Sequence, residues 1–129
     1  INWIAGNWPD RFRCLVCHDG NLDQQMAYYD TEELWFPEWD HMGTPWENPE
    51  HYAKHNPINY VKNWNTPMLV IHGDCDTLID ESGGRRTAEL VPGARFELIE
   101  GMGHDYPPQL WRRWVDLVAG FTGAVDAAS

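Results

Sequence analysis

Three short, largely apolar runs, each bounded by turn-forming residues, are the clearest feature of the chain. They cover residues 13–17, 68–71 and 94–99. Apolar runs of this length are typical of strands that are buried on both faces, as the strands of a parallel sheet are. Each run therefore predicts a buried strand.

Helical patterns follow the second and third runs. Residues 84–91 predict a helix that Pro92 and Gly93 end, and apolar residues recur at helical spacing from Gln109 to Phe121. Asp105 is a candidate cap for this last helix, and Trp111 and Trp114 are expected in the core. Strands that alternate with helices predict one α/β domain over residues 1–129, a small parallel sheet with flanking helices.

A long segment rich in Trp, Tyr, Asn and Pro, residues 21–65, separates the first strand from the second. Residues 23–29 and 31–36 predict short helical turns, with Thr31 as the N-cap of the second turn. Prolines break the rest of this segment into short pieces.

Acidic residues and a histidine follow the ends of the second and third strands. Asp74 and Asp76 come after the second, and His104 and Asp105 come after the third. Chemistry in α/β proteins lies beyond the carboxyl ends of parallel strands, so these side chains are expected at one edge. A carboxylate beside an imidazole fixes its tautomer and stabilises its charged form. The pattern predicts such an orienting pair.

Two motifs follow these strands: His-Gly-x-x-Asp after the second strand and Gly-x-Gly-His after the third. Together they resemble the end of an α/β-hydrolase domain. That superfamily arranges a triad in the chain order serine, acid, histidine. The resemblance implies that Asp76 is the acid and His104 the base. Asp74 and Asp105 are the alternative candidates for the acid, and Asp74 is instead expected to tighten the turn that contains it.

Five motifs in the first part of the chain carry a more specific resemblance. They are Asn-Trp-Ile-Ala-Gly at 2–6, His-Asp-Gly at 18–20, Glu-Leu-Trp-Phe-Pro-Glu-Trp at 33–39, Gly-Thr-Pro-Trp at 43–46 and Pro-Ile-Asn-Tyr-Val at 57–61. These motifs resemble the prolyl oligopeptidase family, in its dipeptidyl- and acylaminoacyl-peptidase branch. Residues 74–129 are more similar to small esterase-like hydrolases. The two resemblances imply a chimera, natural or engineered, joined near residue 73.

The superfamily's nucleophile elbow, a Gly-x-Ser-x-Gly turn, has no match in the sequence. The serines are Ser82, at a predicted helix start, and Ser129, the last residue. Loss of the serine removes nearly all triad catalysis. We therefore expect part of a peptidase- or esterase-type serine hydrolase, inactive alone, which acts on a peptide or ester only if another segment supplies the nucleophile.

The alternative is a non-enzymatic, stand-alone or engineered fold that self-associates. In the matching superfamily the first strand has a further neighbour, so here it is expected at an open sheet edge. An apolar open edge invites pairing with another chain. This hypothesis predicts a homo-oligomer, through edge pairing or exchange of an element.

Aromatic residues between the first two strands have two open interpretations. Trp35, Phe36, Trp39 and Trp46 line an apolar peptide site if the family resemblance holds, and pack in the core if they are only structural.

Two other motifs suggest ligands. Cys14-Leu-Val-Cys17-His18 matches the c-type haem attachment pattern, but side chains three apart on a strand point to opposite faces, so no haem is expected. His51 and His55 would share a metal ion on a helix, but nearby prolines leave barely two turns. We expect a surface pair, with no metal site and no cofactor.

Net charge and cysteine count limit the classes of binding partner and the cellular setting that the sequence suggests. The net charge of −11 argues against nucleic acid and against an anionic membrane surface. An odd number of cysteines, three, argues against a disulfide framework and makes a reduced, cytoplasmic setting the default.

Overall fold

The computed structural model describes residues 1–128, and the predicted α/β class is confirmed. The strands are β1 (Leu15–His18), β2 (Met68–Gly73) and β3 (Arg95–Ile99). The helices are α1 (Asn2–Asn7), α2 (Gln24–Asp30), α3 (Trp35–His41), α4 (Pro49–His55), α5 (Glu81–Leu90) and α6 (Trp111–Ala127), with 3₁₀ segments at Pro57–Asn63 and Pro108–Leu110.

The sheet is parallel throughout, in the order β1-β2-β3. All six residues of β2 are buried, as expected of a central parallel strand. Within the described residues, β1 lies at one edge, where the sequence placed it. Whether that edge pairs with a second copy stays a prediction.

The sheet separates two apolar clusters, one on each face. Met68 and Val70 of β2 pack with Leu15 in one cluster, and Leu69 and Ile71 pack in the other. This alternation follows the two-residue period of a strand. It also separates Cys17, in the first cluster, from Cys14, which packs against the second. The predicted divergence of the two cysteines is confirmed.

Three expectations about helix ends and packing are wrong. Thr31 is not an N-cap: its hydroxyl accepts a hydrogen bond from the Glu33 amide in a turn before α3, which starts at Trp35. Asp105 does not cap the last helix, because the 3₁₀ turn from Pro108 leads directly into α6. Trp111 is 57% exposed on α6 and is therefore not in the core.

Trp114, by contrast, packs against the second cluster as expected. The helix predicted at 84–91 starts earlier, at Glu81, because the Asp80 carboxylate accepts a hydrogen bond from the Ser82 amide and caps the helix.

Among residues 1–128, no helix has both the length and the apolar character that crossing a membrane requires.

Candidate acid–base site at the sheet edge

The loops after β2 and β3 are joined through their backbones. The Asp74 amide donates to the Ile99 carbonyl at 3.2 Å, and the Cys75 amide donates to the Met102 carbonyl at 3.0 Å. Asp74 reaches across as well, since its Oδ1 accepts a hydrogen bond from the Gly101 amide at 2.7 Å. These bonds hold the two loops in register and set the separation of the side chains that follow.

Asp76 and His104 meet where these loops end. Asp76 Oδ2 lies 3.0 Å from His104 Nδ1. The other oxygen, Oδ1, accepts hydrogen bonds from the Leu78 amide at 2.9 Å and the Ile79 amide at 3.0 Å. The Asp76 side chain is fully buried, whereas that of His104 is 39% exposed. The structure thus brings together the two residues that the sequence predicted as a pair.

Several groups fix the charge state of Asp76. Burial opposes ionisation, but hydrogen bonds from the Ile79 amide, from His104 and from the Leu78 amide outweigh it and lower the pKa of Asp76. His72, fully buried, places its Nε2 3.5 Å from Asp76 Oδ2 and donates to the Ile79 carbonyl. Asp76 is therefore a fixed anion facing His104.

This arrangement predicts a stability contribution that disappears in acid. Because the folded-state pKa of Asp76 is lowered, its contribution is fully present above the ordinary value of about 3.9 and is lost as the pH falls through the folded value. Near pH 6, the Asp76→Asn variant is expected to have a free energy of unfolding about 1–3 kcal/mol lower than that of the parent protein. Urea unfolding of both proteins at a series of pH values should show this gap narrowing as the pH falls below that ordinary value. A gap that does not depend on pH contradicts the prediction.

Asp19 is a third acidic group here, and sequence analysis did not select it. It directly follows β1, its side chain is 1% exposed, and its φ is 44°. Its Oδ2 contacts His18 Nε2 and lies 3.9 Å from His104 Nδ1, and its Oδ1 lies 3.5 Å from His72 Nδ1. Within residues 1–128 neither oxygen forms a hydrogen bond of good geometry. Asp19 is therefore a second, more distant carboxylate for His104.

A cleft of about 930 Å³ opens beside His104. Phe36 lies in its lining, but Trp35 and Trp39 do not. Both tryptophans are exposed on α3, by 66% and 83% respectively, and Trp46 is 66% exposed. The core-packing interpretation therefore fails for all three, and the role of Trp35, Phe36 and Trp39 in binding substrate stays a prediction.

The lining of this cleft is strongly acidic. Arg86 faces it together with five carboxylates, those of Asp23, Asp30, Glu33, Asp40 and Asp80. A concave surface with this charge balance attracts cations and repels anions.

Neither Ser82 nor Cys75 is suited to nucleophilic attack. Ser82 lies in the cleft lining, but in the first turn of α5, as the sequence predicted, and not on a strand-to-helix elbow. Cys75 is exposed, but a hydrogen bond to Asp74 and the Asp74 charge raise its pKa and so disfavour the reactive thiolate. Ser129 lies outside the described residues.

Known structures share this fold. A puromycin hydrolase crystal structure superposes with a TM-score of 0.79 at 20% identity, over 98% of this chain and 21% of that one. An α/β hydrolase enzyme from a Medee basin deep-sea metagenome library superposes with a TM-score of 0.66 at 16% identity, over 95% of this chain and 60% of that one. The fold is that of the α/β hydrolases.

The sequence defines the family. The prolyl oligopeptidase family model matches residues 1–89, so the chain belongs to the prolyl oligopeptidase family. Dipeptidyl-peptidase 5 of Schizosaccharomyces pombe is 51% identical over 85 residues, which are 65% of this chain and 12% of that protein. The chain thus spans about an eighth of that relative's length. The family match extends beyond the join predicted near residue 73, and the division of the domain there stays a prediction.

Proposed function

We propose that this chain provides the acid–base half of a serine-peptidase active site. Asp76 holds the imidazole of His104 through Nδ1, and Nε2 then accepts the proton of a serine hydroxyl and returns it to the leaving amine. The observation that carries the proposal is the 3.0 Å contact between His104 Nδ1 and a buried carboxylate that two backbone amides anchor.

The nucleophile in this proposal comes from outside the 129 residues. Neither Ser82, in the first turn of α5, nor Cys75, with its raised pKa, is placed or activated for attack. On this basis the chain alone does not hydrolyse peptides.

The proposed substrate is a peptide with a free amino terminus. The acidic cleft beside His104 favours a positive group, and Phe36 adds an apolar surface for a side chain. The family match and the name of the fission-yeast relative, a dipeptidyl-peptidase, support the same substrate class.

The test is the tautomer of His104, which requires no nucleophile. Nitrogen NMR of the chain near pH 8, where a typical histidine is neutral, is expected to show the proton on Nδ1. Asp76→Asn should abolish this preference, because the amide no longer offers a charged acceptor.

The matched control is Asp74→Asn, which changes the same residue type in the same loop. Its oxygen still accepts the Gly101 amide, so the tautomer of His104 should not change. A proton on Nε2 in the parent protein overturns the proposal. If the tautomer of His104 changes in Asp19→Asn and not in Asp76→Asn, the carboxylate that orients the imidazole is that of Asp19.

A further inference from the structure

Three histidines that are separate in sequence lie together at the junction of α3 and α4. His41 ends α3, and His51 and His55 lie on α4. One ring nitrogen from each lies within 4.8 Å of the other two. His41 Nδ1 and His51 Nδ1 are 3.1 Å apart. This cluster contains none of the residues of the acid–base site.

The turn between the helices holds the cluster in place. Met42 and Gly43 adopt positive φ angles of 59° and 134°, which reverse the chain after His41. Asn48 Nδ2 donates to the His41 carbonyl at 2.8 Å, and the Tyr52 hydroxyl donates to the Gly43 carbonyl at 3.1 Å. The His41 ring stacks on that of Tyr52 with centroids 4.0 Å apart. His41 is therefore fixed on both its backbone and its ring.

The nitrogen atoms have the spacing of metal ligands. Two nitrogens bound to one tetrahedral zinc ion at about 2.0–2.1 Å lie about 3.3 Å from each other. The 3.1 Å between His41 Nδ1 and His51 Nδ1 is close to this value.

His55 shows the second feature of a ligating histidine. Its Nδ1 lies 2.9 Å from the His51 carbonyl oxygen. A carbonyl only accepts, so this Nδ1 carries the proton and the lone pair is on Nε2. Metal-binding histidines characteristically donate their other ring N–H to a carbonyl or carboxylate in this way.

We propose that His41, His51 and His55 form a binding site for a divalent transition-metal ion, Zn²⁺, with water as the fourth ligand. Three imidazole ligands suit Zn²⁺, whereas Mg²⁺ and Ca²⁺ prefer oxygen ligands. The ion joins α3 to α4. Because His41 and Phe36 of α3 both line the cleft beside His104, it also stiffens that wall.

The test is a titration of chelator-treated protein with Zn²⁺, followed by calorimetry and by NMR of the histidine rings. We expect one equivalent to bind, a midpoint of thermal unfolding that rises with Zn²⁺ concentration, and ring shifts at His41, His51 and His55. No saturable binding overturns the proposal. So do shifts confined to His18, His72 and His104. These measurements use the unaltered protein and do not depend on any variant folding.

Variants then assign the ligands. His51→Gln and His55→Gln replace half-buried rings and leave the His41–Tyr52 stack intact. Each is expected to weaken Zn²⁺ binding at least about 10-fold. The matched control is His104→Gln, because Asp19, Asp76 and His104 form the other group of described residues spaced for an ion. Unchanged affinity in both α4 variants, or loss of binding in His104→Gln, contradicts the assignment.

Discussion

Replacing Gly73 by alanine is expected to lower the free energy of unfolding by about 3 kcal/mol. A Cβ atom at this last residue of β2 would overlap the Met102 carbonyl oxygen and lie 2.6 Å from that of Gly103. Both obstacles are backbone atoms, which do not move aside as the end of a flexible side chain does. Strand β2 and the loop after β3 therefore have to separate.

That separation also disturbs the candidate site. The Met102 carbonyl accepts the Cys75 amide at 3.0 Å, so moving it weakens the join between the two loops. Asp76 and His104 lie one and two residues beyond that contact on their respective loops. We expect Gly73→Ala to lose the His104 tautomer preference as well as stability.

Gly103→Ala is the control for this prediction. A Cβ atom there would meet only the Cys75 carbonyl oxygen, at an ordinary 3.8 Å, and its φ is not positive. Its effect on the free energy of unfolding is expected to stay within about 1 kcal/mol. Urea unfolding of the three proteins makes the comparison, and equal losses in both variants would show that the close approach at Gly73 is not the cause.

Local patterns were sufficient to predict the sheet and the edge at which the acidic residues and the histidine lie. The apolar runs predicted β2 and β3 to within two residues at each end. The rule that chemistry follows parallel strands pointed to the acidic residues and the histidine after these strands, and the family resemblance then selected Asp76 and His104 among them. The same rule applies to β1, where Asp19 follows His18. The family motif at 18–20 contains Asp19, but the resemblance gives it no part in the triad.

Elements that depend on distant contacts could not be predicted in this way. Helices α1 and α4 have six and seven residues, too short to be stable by themselves. Helix α1 exists because Gly6 packs directly against Tyr60 and Trp64 of a segment far along the chain. The contact between His41 and His51 likewise depends on the left-handed backbone conformation of Met42. A methionine rarely adopts this conformation, so the local sequence does not predict it.

Asp76→Asn is expected to lower kcat about 10⁴-fold wherever this segment works in a complete active site, because the imidazole is then held in the wrong tautomer. The fission-yeast dipeptidyl-peptidase 5 offers a host, since it is 51% identical over 85 residues. Residues 1–89, the range that the family model matches, replace the corresponding host segment. The host then supplies the rest of the site, including the base that His104 provides in this chain. Hydrolysis of a peptide substrate with a free amino terminus is then compared with and without the substitution.

The size of the effect separates an orienting role from a structural one. Asp74→Asn in the same graft keeps its acceptor oxygen and is expected to change kcat less than about 10-fold, while KM stays similar in both variants because neither residue lines the cleft. Equal losses for Asp74→Asn and Asp76→Asn would mean that the loop matters only for folding.

Activity retained in Asp76→Asn and lost in Asp19→Asn would mean that Asp19 orients the base and Asp76 does not, although in this chain Asp19 is the more distant of the two from His104 Nδ1, at 3.9 Å against 3.0 Å. The hydrogen-bonding of the two acids argues against that outcome: Asp76 is anchored by two backbone amides in the position that faces the imidazole, whereas Asp19 has no such anchor among residues 1–128.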